Sequence, residues 1–284
     1  AKPWAEMGKL AVFVRFSGVY LLYLAPLLYH IFRFYADYLG APTTTAYLQS
    51  LGLPIPETEG DSAGAYVPAV VSLEGLFTWW VFNLTIYTAC RGFTHAVKGK
   101  IAQKTTAEHK EDLLRLGVYA TSLLCLGRVE GRLSAQYLGL CAYFTLFYVV
   151  LFEVVKQLDP KVTKEAIKSS IFVVLIFAET LAVILALIHH CIVLASAYAA
   201  LTSLAAAGAL ILAVHIAILA TPGSDPVHTH VHHYYWPWVL AHVCVFDTSF
   251  CALASSMFIG THLHGIAVFG CDPVFNNIRR VKKK

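Results

Sequence analysis

Charge is scarce in this sequence: 13% of its 284 residues are Asp, Glu, Lys or Arg, while 58% are hydrophobic. Soluble domains carry about 25% charged residues, so a water-facing shell of ordinary density is excluded and an integral membrane protein is expected. Also missing are segments of about ten residues that alternate apolar and polar side chains, which excludes a transmembrane barrel. Helices close all their backbone hydrogen bonds within the segment, as hydrocarbon requires. The expected fold is therefore all-α, a polytopic transmembrane helical bundle. The seven cysteines, Cys90, Cys125, Cys141, Cys191, Cys244, Cys251 and Cys271, include no CxxC pair and lie mostly in apolar runs. They read as buried thiols and exclude a disulfide or zinc framework. Glycine-rich phosphate loops and a strained nucleophile elbow are absent too. The net charge of +4 is modest and the lysines gather at the ends of apolar runs, which argues against nucleic acid as a partner.

What is present is a succession of apolar runs, near 10–34, 67–90, 111–127, 134–155, 169–220 and 236–269. A crossing takes about 20 residues. The run at 169–220 therefore supplies two helices with a turn somewhere in 189–200, and about seven spans are expected, within six to eight. The chain reads as a single integral membrane domain, 1–284, with an acidic extramembrane loop at 37–65 and a basic loop at 91–110. A His-rich loop at 222–235 and a basic tail at 271–284 complete it. If 111–127 crosses, the N-terminus, 91–110 and 156–168 share one face and the acidic loop takes the other, as the positive-inside tendency asks. Seven crossings then place the tail opposite the other basic loops, whereas a break near Gly260 would restore agreement, and the sequence leaves both arrangements open. Glu74 and Asp247 are expected inside spans, and the Asn83-Leu-Thr85 sequon is expected to be inaccessible. A start at Ala1 fits either a removed initiator methionine or a cleaved targeting peptide.

Histidines crowd into one place, His228-Thr-His230-Val-His232-His233, followed by Tyr234, Tyr235, Trp236 and Trp238. Tyr and Trp favour the water–lipid boundary, so these aromatics are expected to anchor the loop at a membrane surface. The spacing of His228, His232 and His233 resembles one histidine box of the membrane di-iron desaturases and hydroxylases. That resemblance implies iron bound by imidazole, although those enzymes carry three boxes and no second one is present. Glu179 is an acid inside the most apolar stretch, and such groups usually face protein, water or a partner. If its helix continues to His190, the two residues lie three turns apart on nearly one stripe, suited to a cation, a proton relay or a quinone.

His30, His215, His242, His262 and His264 lie in or near apolar runs, where a bundle can ligate haem b between two helices. The ordinary reading of each is a hydrogen-bonded core residue. The fragments Arg15-Phe-Ser17-Gly18 and His264-Gly265-Ile266 with Asp272 are faintly similar to pieces of the haem- and quinone-binding anchor of succinate dehydrogenase. The Glu179 segment is dimly similar to the glutamate-bearing helix of cytochrome oxidase subunit III. Neither likeness covers enough of the chain to name a family.

The reading that follows is a structural or accessory subunit of a larger energy-converting complex of the mitochondrial inner membrane, of the respiratory chain or ATP synthase. It would pack against other membrane subunits and bind lipids such as cardiolipin through Arg91, Lys98, Lys100 and the tail. No complete catalytic motif is present. The alternatives are an iron-dependent lipid desaturase or hydroxylase, for which the endoplasmic reticulum membrane is the other location, and a haem b or quinone-binding anchor.

Overall fold

The computed structural model describes residues 25–56, 71–96, 104–150, 171–198, 227–229, 234–271 and 275–277. The fold is all-α. Helix α1 covers 25–40, followed by α2 (Thr44–Ser50), α3 (Leu73–Ala96), α4 (Thr106–Cys125), a 3-10 turn at Glu130–Arg132, and α5 (Ala135–Val149). Then come α6 (Ile171–Ala197), α7 (Tyr235–Ala241) and α8 (Ser249–Phe269). Among the described residues the only strands are β1 (Val227–Thr229) and β2 (Phe275–Asn277), an antiparallel pair with His228 opposite Asn276.

Local chemistry sets several helix starts. The hydroxyls of Thr43, Ser134 and Thr248 accept the backbone N–H three residues on, beginning α2, α5 and α8. Thr105 and Glu108 form a reciprocal capping box at α4. Helix α8 ends at Gly270, whose φ of 96° suits a residue without a Cβ.

The bundle is built around α8. Most of its circumference is buried, including Ile259, Leu263 and Ile266, each 0% exposed. Among the described residues it is the one helix long and apolar enough to cross a membrane. Its 21 residues span about 32 Å at 1.5 Å per residue. Helix α5 runs beside it in the same direction: Tyr137 meets Ser255, Gly260 rides over Phe144 and Thr145, and His264 meets Tyr148. A Cβ at Gly260 would lie 2.8 Å from Phe144 Cβ and 2.8 Å from Thr145 N, so this contact needs glycine.

Cross-links show which ends coincide. Ser72 and Gly75, at the start of α3, meet Glu130. Arg132 binds the carbonyls of Cys244 and Phe246, just before α8. At the other end, Arg91 of α3 donates to the Ala267 carbonyl, and Asp112 near the start of α4 accepts the Cys271 N–H. Helices α3, α5 and α8 thus run one way and α4 the other. The first end also receives Tyr47, His190 and Tyr198.

Several expectations are revised. No break occurs at Gly260, which lies inside α8; the run 236–269 is broken at 242–248, between α7 and α8. The end of α8 lies beside the start of α4, with Gly270 against Lys104 and the Cys271 N–H bonded to Asp112; most of the basic tail, and residues 97–103 of the 91–110 loop, lie outside the described residues. Asp247 lies outside the helices, exposed next to the cap of α8, and Glu74 is exposed on the first turn of α3. The 37–65 stretch contains α2, with Tyr47 and Leu48 in the core. Tyr234 and Tyr235 are buried rather than spread at a surface, because Tyr234 packs on Gly265 of α8; Trp236 remains exposed. Asn83 of the sequon is buried and its amide donates to the Trp79 carbonyl.

Candidate functional site

Three polar constellations sit in this apolar fold. The first centres on His190. Helix α6 is continuous from Glu179 to His190, so the two residues do lie three turns apart on one stripe. The His190 ring is fully engaged. Its Nδ1 lies 3.2 Å from the Tyr47 hydroxyl and its Nε2 3.1 Å from the Thr248 hydroxyl, between the rings of Phe34 and Phe250. A histidine with both nitrogens bonded to hydroxyls holds α2, α6 and α8 together.

The second joins α7 to α8. His262 Nδ1 is 2.7 Å from the Tyr234 carbonyl, and His242 Nδ1 is 2.8 Å from the Trp238 carbonyl. A carbonyl only accepts, so both rings carry the proton on Nδ1 and present a lone pair at Nε2. Both Nε2 atoms are buried without a hydrogen-bond partner among the described residues. Tyr119 and Trp238 line the space around them, with ring centroids 5.5 Å from His262 and 4.7 Å from His242 respectively. This tautomer, fixed by a backbone carbonyl, is the one an imidazole ligand requires.

The third is Arg132, a buried guanidinium missed by pattern reading. It donates to the Cys244 carbonyl at 2.6 Å, to the Phe246 carbonyl at 2.5 Å, and to Ser255 Oγ at 3.4 Å, while Ser255 also bonds the Tyr137 hydroxyl at 2.8 Å. Its acceptors lie over a hundred positions away in sequence, and no local motif announces them. At the opposite end, Lys104 and Asp112 form a buried ion pair, and Arg115 binds both Glu111 and the Cys271 carbonyl. Burial pushes the Cys271 thiol up to about 12.

The other expected site residues fall as follows. His228 lies on β1, while His232, His233, Lys98, Lys100 and His215 lie outside the described residues. The pairing of β1 with β2 ties the His-rich loop to the C-terminal segment. Arg91 is half-buried; it donates to the Ala267 carbonyl at 2.8 Å and lies over the Tyr87 ring, so part of its donor capacity is used within the protein. His262 and His264 sit two positions apart on α8 and contact different neighbours, Tyr119 and Tyr148. Among the described residues, no group of three or more His, Cys, Asp or Glu side chains is placed to hold a metal ion. All seven cysteines are free thiols, and six of them are buried, Cys125 being partly exposed.

Fold and site together define an all-α bundle around one buried apolar helix, held by histidine, arginine and tyrosine bridges to hydroxyls and carbonyls. Comparison with protein-family models, with curated proteins and with solved structures gives no match.

Proposed function

We propose that this protein is a structural, accessory integral membrane subunit of a larger energy-converting complex of the mitochondrial inner membrane, with about seven spans. The observation that carries the membrane reading is the outer surface. Phe77, Trp80 and Leu84 form an exposed stripe on α3, and Leu181, Leu185 and Ile192 form one on α6. Monomeric soluble proteins rarely expose such contiguous apolar faces, whereas lipid or a neighbouring subunit covers them without cost. The contacts of Arg91 and Lys104 with the end of α8 support a single basic face. Cardiolipin is the proposed lipid, held by Arg91, Lys98, Lys100 and the tail. The accessory role is supported by polar groups that bond helix to helix. Purification in mild detergent tests it: co-purifying membrane subunits are expected, and a chain that is stable and monodisperse alone contradicts it.

The haem b or quinone reading stays as a second proposal on one observation, the buried Nε2 lone pairs of His242 and His262. It predicts a Soret band lost in His262→Ala, or quinone extracted with the wild type and not with the variant. A featureless spectrum together with no extractable quinone rules it out. The di-iron desaturase proposal rests on His228, His232 and His233 and is tested by iron analysis, less than about one iron per chain contradicting it.

A further inference from the structure

We propose that Lys104 and Asp112 become joined by an isopeptide bond, Nζ to Cγ, formed by the folded protein itself. The two side chains meet beside the end of α8, 8% and 9% exposed, and Lys104 Nζ is bonded to Asp112 Oδ2. The ammonium is enclosed. Gly270 lies against it, and a Cβ there would fall on Nζ, so the missing side chain at 270 leaves the room that the amine occupies. The carboxyl group is held at both oxygens: Oδ1 accepts the Cys271 N–H at 2.9 Å, and the Tyr87 hydroxyl donates to Oδ2 at 3.5 Å. His109 Nδ1 stands behind that hydroxyl, 3.1 Å away. An amine fixed against a carboxyl group that has a donor on each oxygen is an acyl-transfer arrangement with both reactants in one chain.

The step balances without any outside reactant. One proton passes from the ammonium to Oδ2 within the pair, leaving a neutral amine and a neutral acid, as buried charges tend to do. The Nζ lone pair then forms the bond to Cγ, and the charge that develops on Oδ1 falls on the Cys271 N–H. The Cγ–Oδ2 bond breaks as Oδ2 takes its second proton from Tyr87, which recovers one from the nitrogen, while His109 Nδ1 donates to the phenol oxygen in between. One water leaves, carrying Oδ2 and two of the three ammonium protons. The product keeps Oδ1 as an amide oxygen that still accepts from Cys271. It also replaces two buried charges, whose desolvation their mutual attraction repays only in part, with one neutral amide. The link depends neither on the membrane reading nor on which complex the bundle joins.

The test uses the full chain purified in detergent, then denatured and digested with trypsin, which cuts after Lys100, Lys104, Lys110 and Arg115. Most of the wild type is expected to give a branched peptide, 101–110 uncut at Lys104 and joined to 111–115, lighter by one water than its two parts. Fragmentation should place the link between Lys104 and Asp112. Asp112→Ala should restore cutting at Lys104, and Tyr87→Phe, sampled soon after synthesis, should link several-fold more slowly. Wild type that is mostly cut after Lys104, or a link that survives in Asp112→Ala, overturns the proposal, and an unchanged rate in Tyr87→Phe overturns the role given to Tyr87. The wild-type digest decides the bond itself whether or not either variant folds.

Discussion

Arg132 shows how a single side chain holds an apolar bundle together. The 242–248 break leaves backbone carbonyls with no helical N–H to accept, and buried carbonyls without donors are costly. A planar guanidinium reaches two of them at once, those of Cys244 and Phe246, and adds Ser255. Lysine keeps the charge but lacks the fork. Arg132→Lys is expected to lower stability by about 1–3 kcal/mol, read as an earlier thermal unfolding transition in detergent. Gly260 acts by omission. Its missing Cβ lets α8 approach the Thr145 backbone, which cannot swing away as a side chain would. Gly260→Ala is expected to cost about 1–3 kcal/mol through overpacking. Gly139→Ala, on an exposed face of α5 with open space around it, is expected to be neutral or to stabilise by about 0.5–1 kcal/mol. Equal unfolding temperatures for the two variants would refute the close approach.

Among the elements, the end of α8 is the most strongly fastened. Asp112 receives the Cys271 N–H at 2.9 Å and pairs with Lys104 in a buried position, while Arg91 and Arg115 bind the Ala267 and Cys271 carbonyls. Removing one partner of a buried ion pair strands the other, at about 3–5 kcal/mol. Asp112→Ala is expected to speed amide exchange over 266–271 while leaving the Thr248 end of α8 protected. The Cys271 thiol, raised to about 12 by burial, stays protonated at pH 8. Since the thiolate is the nucleophile, maleimide should label Cys125 before Cys271 in the wild type. In Asp112→Ala the Cys271 rate should rise towards that of Cys125. Fast labelling of wild-type Cys271 at pH 8 would contradict the burial.

For the whole molecule, the decisive feature is that α8 returns the chain to the end occupied by Lys104. If the bundle crosses a membrane, the residues after Cys271 and those between Ala96 and Lys104 are then expected on one side of it. Tags placed after Lys284 and within 97–103 are expected to share protease accessibility in sealed vesicles, both cut or both protected. Opposite behaviour would refute the arrangement of α3, α4 and α8. Through that arrangement Lys104 and Asp112 become neighbours of Cys271, distant in sequence.

By itself the sequence determined the helical class, because scarce charge and long apolar runs leave no other way to satisfy the backbone. It also determined the caps at Thr43, Thr105, Ser134 and Thr248, which are local hydrogen bonds, and the burial of most cysteines. The placement of Glu179 and His190 on one stripe needed only the continuity of α6. Which apolar helix stands at the centre was decided by tertiary structure alone. Lipid and protein interior are equally apolar, so composition cannot say whether α3, α6 or α8 is enclosed. Tyr234 and Tyr235 look like surface anchors until Gly265 offers Tyr234 a place to pack. Arg132 finds its carbonyls 112 and 114 positions onward, and His190 finds the Tyr47 and Thr248 hydroxyls 143 positions back and 58 onward. Contacts of that range depend on how the helices assemble, which no local periodicity encodes.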